Sequence, residues 1–79
     1  MSKQRFKEEI IAYKRNGGAM CFAYDDVRIP VTYNEEEDAI GVKVKGDDLS
    51  LPVDYRLDLL ENLSNLEDML LEKHPEFIR

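Results

Sequence analysis

Four leucines, Leu59, Leu63, Leu66 and Leu70, recur at spacings of four, three and four near the end of the chain. That is the period of one helix face. Such a face has to be covered, so the rest of the chain must supply an apolar surface. Opposite the leucines stand Asp54, Asp58, Glu61, Asp68 and Glu72, with Asn65 at the gap. On a helix turning about 100° per residue, these carboxylates fall within about 40° of one line. The line runs roughly 27 Å at 1.5 Å per residue, and no Lys or Arg interrupts it. Like charges at these spacings cost a helix on the order of 0.2–0.5 kcal/mol per pair. Exposed faces usually mix signs and gain from it. Asp54 and Asp58 sit where the positive helix start welcomes them, whereas Asp68 and Glu72 sit near the negative end. A single-sign row of this kind is a candidate for recognition rather than for stability.

The helix is expected to start at Pro52, with Ser50 or Asp54 as cap, and to run to Lys73, where Pro75 stops it. Glu76 to Arg79 then form a tail, from which Phe77 and Ile78 dock back. A first helix is expected over residues 3–15. Phe6, Ile10 and Tyr13 lie on one face, Ser2 is the cap, and Asn16-Gly17-Gly18 is the stop. Between the helices lies a β region. Residues 19–24 are apolar throughout, and Asp25-Asp26 makes a turn. Residues 27–33 alternate, with Val27, Ile29, Val31 and Tyr33 on one face. Residues 34–38 form a polar loop, and residues 39–45 alternate again. Gly46-Asp47-Asp48 is read as the end of that strand, and residues 49–52 as a connection. Pro30 conflicts with a central strand, because proline donates nothing to the ladder. The run is therefore an edge, or it is bulged or broken at Pro30. The expected fold is a single α+β domain over residues 1–79. Its order is α-β-β-β-α, with a three-stranded antiparallel sheet packed by two helices.

A chain of 79 residues builds one modest core. Its net charge of −6 is unevenly placed: residues 1–18 carry +3 and the remainder −9. The balance repels nucleic acid and anionic membrane and attracts basic protein surfaces. One cysteine, Cys21, excludes an intramolecular disulfide. The first residues lack the apolar run of a signal peptide, and no apolar stretch approaches the ~20 residues of a membrane span. A cytoplasmic protein without membrane contact is expected.

Little here suggests catalysis. His74, the only histidine, is expected to face solvent at a helix end, and Cys21 lies in the most apolar strand without a base nearby. One His and one Cys do not make a zinc site, and no acidic run has the spacing of a calcium loop. No metal and no cofactor are expected. Lys3, Lys7 and Lys14 line one flank of the first helix. Three lysines are few for a duplex binder, but they suit the acidic face of a second copy, giving a homodimer.

The reading that follows is a small acidic, non-enzymatic protein-interaction module, an inhibitor or regulator. Its carboxylate rows would face a basic, nucleic-acid-binding surface of a partner. The residues expected to carry this are Asp54, Asp58, Glu61, Asp68 and Glu72, joined by Glu35, Glu36, Glu37, Asp38, Asp47 and Asp48 on loops. In style the chain is similar to the small acidic inhibitors carried by bacteriophages, anti-CRISPR and anti-restriction proteins among them, although no motif ties it to one family. The alternative is a small structural subunit or homodimer that buries an apolar helix and sheet surface, with Leu57, Met69 and Leu71 on its rim.

Overall fold

Ser2 opens the first helix, α1 (Lys3–Arg15): its Oγ accepts the amide of Arg5 at 3.1 Å. A computed structural model describes residues 1–78 of the chain; Arg79, part of the expected tail, lies outside the described residues. The periodic face of α1 buries Phe6 completely and Ile10 and Tyr13 in part. Asn16 caps its end, and Gly17 follows at φ +87°, a conformation that costs glycine little.

Among the described residues five strands follow rather than three. β1 (Cys21–Tyr24) and β2 (Val27–Pro30) form a hairpin through Asp25-Asp26, with Asp25 at φ +52°. β3 (Thr32–Asn34), β4 (Ala39–Val44) and β5 (Asp47–Pro52) form an antiparallel sheet in the order β3-β4-β5. The run over residues 27–33 is therefore broken at Pro30, and its two halves serve different sheets. The cause is local. β3 pairs Thr32 with Gly41, so two further residues of the same ladder would set Pro30 opposite Lys43. Proline has no N–H to offer there. Instead the amide of Val31 donates to the carbonyl of Met20 at 2.9 Å, and β2 pairs with β1.

Residues 49–52 are not a connection. Lys45 and Gly46 take φ +51° and +85° and reverse the chain in two residues, so Asp47 and Asp48 open a strand instead of ending one. β5 then pairs with the whole of β4, from Val44↔Asp47 to Ala39↔Pro52. Pro52 is tolerated there because β5 is an edge.

The second helix, α2, spans Leu59–Lys73 and starts seven residues later than Pro52 implied. Asp58 is its cap, accepting the amide of Glu61 at 2.8 Å. Asn62 holds the preceding loop. This amide is 1% exposed. Its Oδ1 accepts the amide of Asp54 at 2.8 Å, and its Nδ2 donates to the carbonyls of Asp54 and Asp58 at 3.0 and 2.8 Å. A buried amide with its bonds made is stable only in that arrangement, which keeps residues 54–58 out of the helix.

The α+β class holds, with a three-stranded antiparallel sheet and two helices, and with a two-stranded sheet added in the order α-β-β-β-β-β-α. Ile40, Val42 and Val44 alternate into the core, where they meet Leu49, Leu59, Leu63, Leu66 and Leu70. Phe6 closes the core from α1, its ring 5.4 Å from Tyr33 and edge-on to Tyr55 at 5.9 Å. α2 rests on β4 and β5, and α1 on α2.

Replacing Asn62 with alanine is expected to cost about 1–3 kcal/mol, since it leaves the Asp54 amide without its partner. Urea denaturation of the purified variant checks this. A loss below about 0.5 kcal/mol would show that the loop over residues 54–58 is held by something else.

Candidate interaction surface

Because α2 starts at Leu59, the acidic row is shorter than the sequence suggests. Asp54 is not on the helix; it lies in the loop before it and grips Arg56, with Nε to Oδ1 at 3.0 Å and Nη2 to Oδ2 at 2.9 Å. This guanidinium draws the Asp54 carboxyl down to about 2. Asp58 is committed to capping. Glu61, Asn65, Asp68 and Glu72 remain, all exposed on the face opposite the buried leucines. Among the described residues no side chain pairs with Glu61, Asp68 or Glu72. Lys73 stands about 100° around the helix from Glu72.

The loop carboxylates divide. Lys7 Nζ meets Glu35 Oε1 at 2.8 Å, and Lys3 Nζ lies 3.3 Å from Asp38 Oδ1 while donating to the Glu35 carbonyl at 2.8 Å. Tyr55 Oη also donates to Asp38, at 2.7 Å. Both carboxyls are held below their ordinary range, Glu35 by Lys7 and Asp38 first by the Tyr55 hydroxyl and then by Lys3. Burial, followed by the bonds to Tyr33 and Asp38, pushes the Tyr55 phenol up. The lysine flank of α1 is thus turned inward on the chain's own loop, which removes Lys3 and Lys7 from the surface expected to meet a second copy. Glu36, Glu37 and Asp48 stay exposed, with no side-chain partner among the described residues. Glu9 serves the fold as well, its Oε2 accepting the amide of Leu59 at 3.0 Å and so capping α2 a second time.

His74 does not face solvent; it is 8% exposed. Its Nε2 lies 3.0 Å from Asp47 Oδ2, in ion-pair range but not aligned for a hydrogen bond, and its Nδ1 lies 3.3 Å from Glu76 Oε2. Lys45 bonds the same Glu76 oxygen and draws that carboxyl down to about 2. A short 3-10 turn, Pro75–Phe77, brings these groups together and stacks Phe77 on Tyr24 at 5.1 Å. Ile78 remains exposed. Tyr24 Oη bonds Glu67 Oε2, and burial together with that carboxylate raises the phenol. Asp47 and Glu67 therefore help to fasten the chain end. The cluster was hidden in the sequence because Asp47 and His74 are far apart along the chain. Asn62 did leave a signal, since it falls on the leucine side of the helix.

The apolar rim is largely internal: Leu57, Met69 and Leu71 are half-buried, and Met69 packs on the core. Leu60 differs, being 60% exposed. It borders an open groove of about 270 Å³ lined by Ala12, Tyr13, Asn16 and Leu59, where α2 begins beside α1. Among the described residues no helix is long and apolar enough to cross a membrane. Comparison with known proteins finds no match to this chain: no family model, no curated protein and no solved structure.

The depressed carboxyls give a pH dependence. Asp54 and Glu76 titrate near 2 when folded, against 3.8 and 4.5 ordinarily. As pH falls, the unfolded chain takes up these protons first. The stability from these pairs is complete above about pH 5 and is lost as pH drops toward 2. Thermal denaturation over this range is expected to show Tm falling with pH, by less at about 1 M salt, because all the pairs are near the surface. A Tm that does not change between pH 5 and 2 would contradict these pairs.

Proposed function

We propose that this chain is a non-enzymatic interaction module, an inhibitor or regulator that offers the carboxylate face of α2 to a basic surface of a partner protein. One observation carries the reading. Among the described residues the fold supplies internal partners for Glu9, Glu35, Asp38, Asp47, Asp54, Glu67 and Glu76, yet supplies none for Glu61, Asp68 and Glu72 on α2, nor for Glu36, Glu37 and Asp48 on turns. The three on α2 share one exposed helix face. Two of them, Asp68 and Glu72, stand toward the helix end that disfavours negative charge. They contribute nothing evident to stability, and a basic partner is what would use them. Electrostatic complementarity of this kind speeds association and selects the partner, and salt weakens it.

A sharper version has the carboxylates imitating nucleic-acid phosphates, in the manner of phage anti-CRISPR or anti-restriction inhibitors. Glu61 to Glu72 spans ~16 Å with three carboxylates, whereas one nucleic-acid strand carries a phosphate about every 3.4 Å of axis. Glu36, Glu37 and Asp48 would have to join the row to approach that density. The broader reading, a basic protein surface, needs no such addition.

The test is the double substitution Asp68→Lys/Glu72→Lys. The domain is expected to stay folded, with stability unchanged or slightly raised, because both sites are exposed and lysine suits the helix end. Partner capture is expected at low salt and to weaken about tenfold or more in the variant. Equal capture by both proteins at low and high salt would overturn the electrostatic reading. Unfolding of the variant would overturn the assignment of these residues to an exposed face.

A further inference from the structure

The row ends beside something unlike itself. Leu60, next to Glu61 at the start of α2, is 60% exposed and sits at the mouth of the groove lined by Ala12, Tyr13 and Leu59. A leucine this exposed forgoes most of the gain from burial, roughly 25 cal/mol per Å² of apolar surface left in water. The neighbouring leucines of α2 do not: Leu59 and Leu63 are buried. Two of the carboxylates at the groove are committed to the fold, since Glu9 caps Leu59 and Asp58 caps Glu61. The groove is an open space of about 270 Å³, and its apolar lining is Ala12, Leu59, Leu60 and the ring of Tyr13. The row of Glu61, Asp68 and Glu72 runs along the helix about 100° around from Leu60, so groove and row flank one another at the start of α2.

We infer that the surface accepts a basic amphipathic helix, with one apolar side chain seated at Leu60 in the α1–α2 groove and Lys or Arg side chains set along Glu61, Asp68 and Glu72. This rests on the proposed reading of the row and adds the shape of the partner. Charge complementarity selects the occupant: the row carries three unpaired negative charges at helical spacing, which lysines or arginines three, four or seven apart on a facing helix would meet. The apolar seat distinguishes such a helix from an extended polycation, which would pair with the row but has nothing to place in the groove. It likewise distinguishes a basic protein helix from nucleic acid, which the row repels.

The test uses the full chain and two synthetic peptides of about 18 residues, long enough for helix formation. Both contain the same leucines and lysines. One is patterned with leucines at i, i+3, i+4 and i+7, and the other is scrambled so that no apolar face forms. Binding is followed by amide chemical shifts and by titration calorimetry. Expected are tighter binding of the patterned peptide and shifts at Ala12, Leu60 and Glu61. Leu60→Ser should weaken binding about tenfold, and Ile11→Ser, an exposed leucine-sized control elsewhere on α1, should leave it unchanged. Both changes are uncharged and exposed, so the fold is retained. Equal binding of the two peptides, or no loss with Leu60→Ser, overturns the groove as a seat while leaving the charge reading standing. Binding that survives Asp68→Lys/Glu72→Lys overturns the reading on which both depend.

Discussion

Asn62 decides which carboxylates the molecule can present. By taking the amide and carbonyl of Asp54 and the carbonyl of Asp58 into its own buried side chain, it ties off the loop after β5. Capping then falls to Asp58, and the helix begins at Leu59. Asp54, released from the helix, turns to Arg56. The acidic face that remains is Glu61, Asp68 and Glu72, and the same helix start places Leu59 and Leu60 against α1 beside Tyr13. One satisfied amide therefore sets the length of the row and the position of the groove at its end. An apolar residue of similar volume would fit the space but would leave the Asp54 amide without its partner, at a cost of about 1–3 kcal/mol, whereas the Asp54 and Asp58 carbonyls keep the amides of Leu57 and Asn62.

Pro30 acts on the other side of the core. It removes one donor where the strand would continue its ladder with β4, and β2, still in contact with β4, pairs instead with β1 as a separate two-stranded sheet. That hairpin brings Tyr24 to α2 and to the C-terminal turn, where it bonds Glu67 and stacks on Phe77. The broken strand thus provides the surface on which the chain end is fastened, and His74, between Asp47 and Glu76, closes the arrangement.

What the sequence made legible was what neighbours in the chain determine. The face of α1, its serine cap and its Gly17 stop depend on residues within a few positions of one another, as do the leucine stripe and the turn at Asp25-Asp26. The conflict at Pro30 was also visible, although its resolution was not, because that depends on where β4 lies. Most of the missed features rest on distant pairings, whereas the late start of α2 and the Asp54–Arg56 pair are local. Asp47 and Asp48 look like a strand end until β4 is opposite them, and Pro52 looks like a helix start until Ala39 pairs with it. His74 looks exposed until Asp47 and the 3-10 turn close over it. Part of the expected site was affected in the same way: Glu35 and Asp38 read as free acids until α1 lays Lys7 and Lys3 on them.

These internal pairings also determine the field the molecule shows to others. Lys3, Lys7, Lys45 and Arg56 are spent on carboxylates that hold the fold together. Each pair is near the surface and contributes little to stability singly, but each also cancels charge where it stands. The cancellation is concentrated at the turn over residues 35–38, in the loop before α2 and at the chain end. None of it reaches Glu61, Asp68 and Glu72. A net charge of −6 is thus expressed unevenly, and the outer face of α2 keeps its full negative potential. That potential extends about 10 Å into solvent at 0.1 M salt, far enough to orient a basic partner before any contact forms. The apolar groove acts only at contact. On the proposed reading, encounter and fit would fall to different residues of the same helix, the acidic row governing how fast a basic partner arrives and Leu60 how long it stays.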